Sequence, residues 1–170
     1  MLNHSIVACG VAGLAGAAQA GIILESEPNN SLITADFCGN YNPPGDSFIV
    51  DGGIGELRDE DWFQFSVSGP SQIVASTYGR PDSNPPADSF LELFDSAGNL
   101  VAFDDDSGIN NFSSLSFNTA TGGTFFFRVT AFQNQTTFDY KLVVGMNIVP
   151  APASLAALAV GVLGFGRRRR

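Results

Sequence analysis

Two short acidic segments hold the residues of this chain best suited to chemistry. In Glu25-Ser26-Glu27-Pro28-Asn29-Asn30, alternate residues of an extended segment project to one side, which lines up Glu25, Glu27 and the amide of Asn29. Pro28 stiffens the segment and keeps Glu27 extended. In Asp59-Glu60-Asp61 the same alternation points two carboxylates one way, just ahead of Trp62. Clustered hard oxygens of this kind suit calcium, which takes about 6–8 oxygens at about 2.3–2.6 Å. On the residues alone, a pair of solvated acidic turns is the leading alternative. A third run, Asp104-Asp105-Asp106-Ser107-Gly108, is not an EF-hand loop, because its glycine is misplaced and no glutamate closes it at the twelfth position. Its adjacent carboxylates repel, so either a second cation or water must screen them.

Composition excludes most other chemistry. The single histidine is His4, inside an N-terminal run expected to be removed. The mature chain then has no Ser-His-Asp or Cys-His nucleophile and no ordinary histidine-ligated zinc. Of the two cysteines, Cys9 lies in that same run, which leaves Cys38 as a small buried hydrophobe. Glu56, Asp59, Asp61 and Glu92 are the candidates for a glycosidase pair, which works at separations of about 5–9.5 Å. Nothing around them in sequence suggests a raised pKa or a long cleft, so a small hydrolase stands third among the readings. Every acid falls between Glu25 and Asp139, and residues 21–149 hold 17 acids against Arg58, Arg80, Arg128 and Lys141, a formal −13. That charge repels nucleic acid and anionic lipid and favours a cation. Tyr41, Tyr78, Trp62 and Phe132 lie in loops or on second faces, where they either stack a sugar or collagen-like peptide or form part of a two-sided core.

The elements that position these residues read as strands. Phe63, Phe65 and Val67 alternate with Gln64 and Ser66; Phe125, Phe127 and Val129 with Phe126 and Arg128; Phe138, Tyr140, Leu142 and Val144 with Asp139 and Lys141. Shorter runs centre on Ile73 and Ala75, Leu91 and Leu93, and Leu115 and Phe117. Turn signals separate them at Ser68–Pro70, Arg80–Pro86, Ser96–Asn99, Asp106–Gly108 and Thr121–Gly123. The spacing predicts one all-β domain over residues 21–147, an antiparallel jelly-roll-like β-sandwich with its phenylalanines in the core.

The two ends read as addresses. Residues 1–20 are an apolar, small-residue run closing on Ala18-Gln19-Ala20, a signal-peptidase site between Ala20 and Gly21. Residues 148–170 hold a proline-containing motif, an apolar segment from Leu155 to Gly166 that enters the inner membrane as a helix, and Arg167 to Arg170, which stay cytoplasmic.

Val149-Pro150-Ala151-Pro152, the apolar segment and the arginine cluster together resemble the PEP-CTERM sorting signal of Gram-negative bacteria, with Ala151 in place of the usual glutamate. The resemblance implies processing by exosortase in a biofilm- or polysaccharide-producing host. A second resemblance rests on Glu25-x-Glu27-Pro28-Asn29-Asn30, Asp59-x-Asp61-Trp62-Phe63, Leu93-Phe94-Asp95 through Asp104-Asp105, and Phe125 to Val129. These are similar to the bacterial pre-peptidase C-terminal domain, across roughly residues 25–145. That family implies a jelly-roll-like sandwich of secreted proteins, with calcium held by the acidic N-terminal segment and the Asp-x-Asp turn. Carried over, the ligands are Glu25, Glu27, Asn29, Asn30, Asp59 and Asp61, with backbone help at Trp62; the segment between the clusters is longer here, by Cys38 to Asp46. The expectation is an exported, non-enzymatic, calcium-stabilised protein of the cell surface or extracellular matrix. A carbohydrate- or protein-binding module is the alternative.

Overall fold

The computed structural model describes residues 21–79, 87–134 and 136–149. The expected signal peptide with Ala20, the turn at Arg80–Pro86, Pro150 to Pro152 of the sorting motif, and the apolar segment with its arginines all lie outside the described residues. Gly21 opens the first strand and Val149 closes the described chain.

Ten strands form two five-stranded sheets. They are β1 (Gly21–Leu24), β2 (Asp36–Tyr41), β3 (Ser47–Ile54), β4 (Glu60–Val67), β5 (Ser71–Gly79), β6 (Ser89–Asp95), β7 (Leu100–Asp104), β8 (Ser114–Thr119), β9 (Gly123–Ala131) and β10 (Phe138–Asn147). One sheet runs β1-β3-β10-β5-β8 and the other β2-β4-β9-β6-β7. The sandwich is therefore all-β, as the alternation predicts, but it is not purely antiparallel: β1 pairs with β3, and β2 with β4, in parallel. The cause is connectivity. The chain crosses to the other sheet after each of its first strands, reversing direction each time, so strands two apart in sequence share a sheet and a direction. The Ser68–Pro70 and Thr121–Gly123 signals are likewise sheet-to-sheet crossings. The turn at Ala97–Asn99 is a true hairpin between β6 and β7. There the Asp95 carboxylate accepts from the amides of Ala97 and Asn99, both at 2.9 Å, and Gly98 takes the left-handed φ of 78°.

The two inner faces make one core. Phe63, Phe65, Phe127, Phe48, Leu91, Leu93, Leu142 and Val144 are fully buried, and Phe65 stacks on Phe127 with centroids 5.1 Å apart. Each such side chain contributes about 1.5–3 kcal/mol by leaving water. Cys38 is buried, and burial pushes its thiol up to about 12, which leaves it unreactive. Three buried hydroxyls pair among themselves, Thr77 with Ser89 at 2.7 Å and Ser89 with Ser113 at 3.0 Å. They bind the loop before β8 to β5 and β6.

The four aromatics picked out by sequence do not share a face. Tyr41 stacks on Phe48 at 5.0 Å at the edge of the core, and its hydroxyl donates to the carbonyl of Cys38 at 2.6 Å. Tyr78 is exposed on the outer side of the β5 sheet. Trp62, 8% exposed, and Phe132 belong to the outer side of the other sheet.

Candidate metal centre

The acidic N-terminal segment crosses from one sheet to the other, and that crossing places it over the start of β4. The Glu25 amide donates to the Asp51 carbonyl at 3.1 Å, extending the β1–β3 pairing by one residue. Four residues on, the Trp62 amide donates to the Asn29 carbonyl at 3.2 Å, so Asn29 is already fastened to β4. Residues 25–29 thus span the gap between the sheets at one end of the sandwich. β4 alternates with Phe63 and Phe65 in the core, so Asp61 also points inward, toward that gap.

Glu25, Glu27 and Asp61 converge there, with one oxygen from each lying within 4.8 Å of the others. Asp61 and Asn29 are fully buried. The Asn29 amide nitrogen faces Glu25 and Asp36, each at 3.4 Å, while its Oδ1 is buried without a donor, as is Oδ1 of Asp61. Buried oxygens without partners are costly, at about 1–3 kcal/mol each. None of the ion pairs among the described residues reaches Glu25, Glu27 or Asp61.

Neighbouring groups hold the cluster in place. The Gly53 amide donates to Glu25 Oε2 at 2.6 Å, and the Tyr140 hydroxyl, from the opposite sheet, donates to Asp61 Oδ2 at 2.6 Å. The Ser26 amide donates to Asp36 Oδ2 at 2.8 Å, which fixes the carboxylate beside Asn29. Gly52 makes room: a Cβ there would lie 2.8 Å from Glu25 Oε2 and 3.0 Å from the Tyr140 ring and hydroxyl.

The electrostatics follow from this crowding. Two full charges 4.8 Å apart repel by about 3–4 kcal/mol at an effective dielectric of about 20. The cluster therefore takes up protons or a cation. Burial, with Glu25 and Asp59 nearby, pushes Asp61 up to about 9 despite the Tyr140 hydrogen bond. Burial also raises Glu25, and the Glu27 charge adds to it, against the hydrogen bonds it accepts. Tyr140 is raised well above its ordinary value, first by burial and then by the carboxylates it faces.

The six residues expected as ligands divide. Glu25, Glu27, Asp61 and Asn29 form the oxygen-rich centre. Asp59 is buried and turns each oxygen to a backbone amide, accepting from Gly55 at 2.8 Å and Glu60 at 3.1 Å, so it caps the turn into β4. The Asn30 side chain faces acceptors, and its amide nitrogen reaches Glu27 Oε2 at 3.1 Å and Asp59 Oδ1 at 3.3 Å, lacing the two segments together. Sequence reasoning missed Asp36 and Tyr140. Asp36 lies beyond the acidic motif, and Tyr140 reads as one more core residue of an alternating strand. Gly52-Gly53, in a strand otherwise rich in larger residues, was the available signal for a close approach.

The third acidic run also rearranges. Asp104 Oδ2 accepts from Ser114 at 2.7 Å and Ser107 at 3.0 Å, capping the loop, while Asp105 and Asp106 gather with Asp88. Of the glycosidase candidates, Asp61 faces inward, whereas Glu92 lies on the outer side of its sheet in an ion pair with Arg128.

Comparison with known proteins gives two family matches. Residues 59–131 match the bacterial pre-peptidase C-terminal domain. This range is shorter than the resemblance read from sequence; it includes Asp59 and Asp61 but not residues 25–30. Residues 149–170 match the PEP-CTERM protein-sorting motif. A probable subtilase-type serine protease of Deinococcus radiodurans is 32% identical over 78 residues, which are 46% of this chain and 11% of that protein. The chain thus spans about a tenth of that relative's length. The pre-peptidase C-terminal domain of a Bacillus anthracis collagenase is a structural neighbour at TM-score 0.48 and 19% identity, covering 65% of this chain and 93% of that one. Aeromonas hydrophila PliG, a periplasmic inhibitor of g-type lysozyme, is another at 0.43 and 8%, covering 66% and 99%. Among the described residues no helix is long and apolar enough to cross a membrane. The chain thus matches the bacterial pre-peptidase C-terminal domain over residues 59–131 and, behind it, the PEP-CTERM motif over residues 149–170, a signal that implies export and processing by exosortase.

Proposed function

We propose that the chain is a non-catalytic protein of the cell surface or extracellular matrix, stabilised by calcium, whose sandwich plays a structural or adhesive part. The observation that carries this is the convergence of Glu25, Glu27 and Asp61 beside two buried, donorless oxygens, Asn29 Oδ1 and Asp61 Oδ1. Those four residues supply only hard oxygens, which select calcium or a similar hard cation over softer metals. Bidentate carboxylates, backbone carbonyls and water fill the remaining positions of a calcium shell. Bound there, the ion neutralises the cluster and ties the crossing segment to β4. The lack of any histidine beyond His4 and the outward turn of Glu92 support a non-catalytic role. The protease relative's activity belongs to a protein of which this chain matches 11%.

The test pairs stability with location. The purified full chain should melt higher in calcium than in EDTA, and fractionation of the native host should recover it outside the cytoplasm. Equal melting in both buffers would remove calcium from the account; retention in the cytoplasm would remove the surface role.

A further inference from the structure

The outer side of the β2-β4-β9-β6-β7 sheet has a built centre. Arg128 of β9 is clamped between Glu60 and Glu92 of the flanking strands. Its guanidinium lies over the rings of Trp62 and Phe94, at 5.5 and 5.6 Å from their centroids. The Trp62 indole nitrogen donates to the same Glu60 oxygen at 3.0 Å. The Arg128 guanidinium and the Trp62 indole are therefore held in place before any ligand arrives. Beside it opens a concavity of about 290 Å³ lined by Glu60, Phe90, Arg128, Thr130, Phe132 and Gln133. That is near the lower bound of about 300 Å³ for small-molecule pockets, room for one ring-sized unit.

We propose that this concavity binds a neutral sugar unit of an extracellular polysaccharide. Three features select that class. The groups in reach offer planar donors and acceptors, as hydroxyl recognition requires, but Arg128 with Glu60 and Glu92 sums to a negative charge, on a domain of formal charge −13. Anionic polymers are therefore repelled. Phe90 and Phe132 supply apolar faces at the rim; Phe132 is 37% exposed. Finally, β9 is hydrogen-bonded on both sides, to β4 and β6, so its backbone has no free ladder for an extended peptide to join. The proposal rests on the adhesive part of the function above and is independent of the cation.

The experiment is an array of neutral and acidic glycans probed with the purified full chain in calcium, followed by titration with the best binder. Phe132→Ala removes an exposed ring and should weaken binding about tenfold or more, with an unchanged melt and calcium shift. Arg128→Lys should weaken it as well, because a lysine cannot reproduce the fork. Tyr78→Ala, on the other sheet, should bind as the parent does. Binding to no neutral glycan overturns the proposal, as does a preference for acidic glycans or for peptides, or binding indifferent to Phe132→Ala. A calcium shift retained through any of those outcomes leaves the metal reading standing.

Discussion

Replacing Asp61 by asparagine should change sign with the buffer. Without a cation, Asp61 is a buried acid whose pKa burial pushes to about 9. At neutral pH folding must then protonate a group that ionises near 3.9 in the unfolded chain, at about 1.4 kcal/mol per pH unit. The cost is on the order of 4 kcal/mol, an upper bound because Glu25 shares the strain. Asparagine escapes that cost and keeps an oxygen to accept from the Tyr140 hydroxyl, so Asp61→Asn in EDTA should melt at or above the parent. In calcium the parent gains about 2.7 kcal/mol at a hundredfold excess over the dissociation constant, a shift of order 10 °C for a domain of this size. The variant, one charge short, should gain almost none of it and melt below the parent. Calorimetry of both proteins in both buffers reads all four values. A variant that keeps the whole calcium shift would refute Asp61 as a ligand. One destabilised equally in both buffers would make Asp61 a hydrogen-bonding residue and nothing more.

Other outcomes follow from the same geometry. Gly52→Ala brings a methyl to 2.8 Å from Glu25 Oε2; the carboxylate can swing aside, so titration should show calcium affinity falling at least tenfold while stability in EDTA drops by about 1–3 kcal/mol. In EDTA, stability should decline as pH rises from about 4 toward 9, because the folded state holds the Asp61 proton that the unfolded chain has released. The calcium-induced shift should grow over that range, since the ion must displace the proton; melts at stepped pH check both slopes. Phe127→Ala empties a fully buried site stacked on Phe65 and should cost about 3–5 kcal/mol in denaturant unfolding, in either buffer.

Much of the sandwich was legible because alternation is local. Phe63, Phe65 and Val67 announce both a strand and its inner face, and Asp61, in phase with them, is thereby placed inward from sequence alone. The parallel pairings of β1 and β2 were not legible, since they depend on which sheet each strand joins. The outer face, where a two-sided core was one of the two readings, is in part such a second core. Trp62 and Phe126 sit on the second side of their strands yet are only 8% and 6% exposed, because outer-face neighbours, including Phe94 and Arg128 over Trp62, cover that side. In the acidic motifs, which residues converge and which cap their own turn was not legible. Spacing cannot distinguish Asp59, which turns to the amides of Gly55 and Glu60, from Asp61, two residues on, which faces the cluster. Asp36, Asp88 and Tyr140 enter their clusters through tertiary contact, which no local pattern records.

The most direct test of the central claim is a crystal structure of the protein grown in calcium, with anomalous data to identify the ion. The account predicts a calcium held by carboxylate oxygens of Glu25, Glu27 and Asp61 and by Asn29 Oδ1, at about 2.3–2.6 Å. Saturating calcium with no ion among these four residues would contradict it.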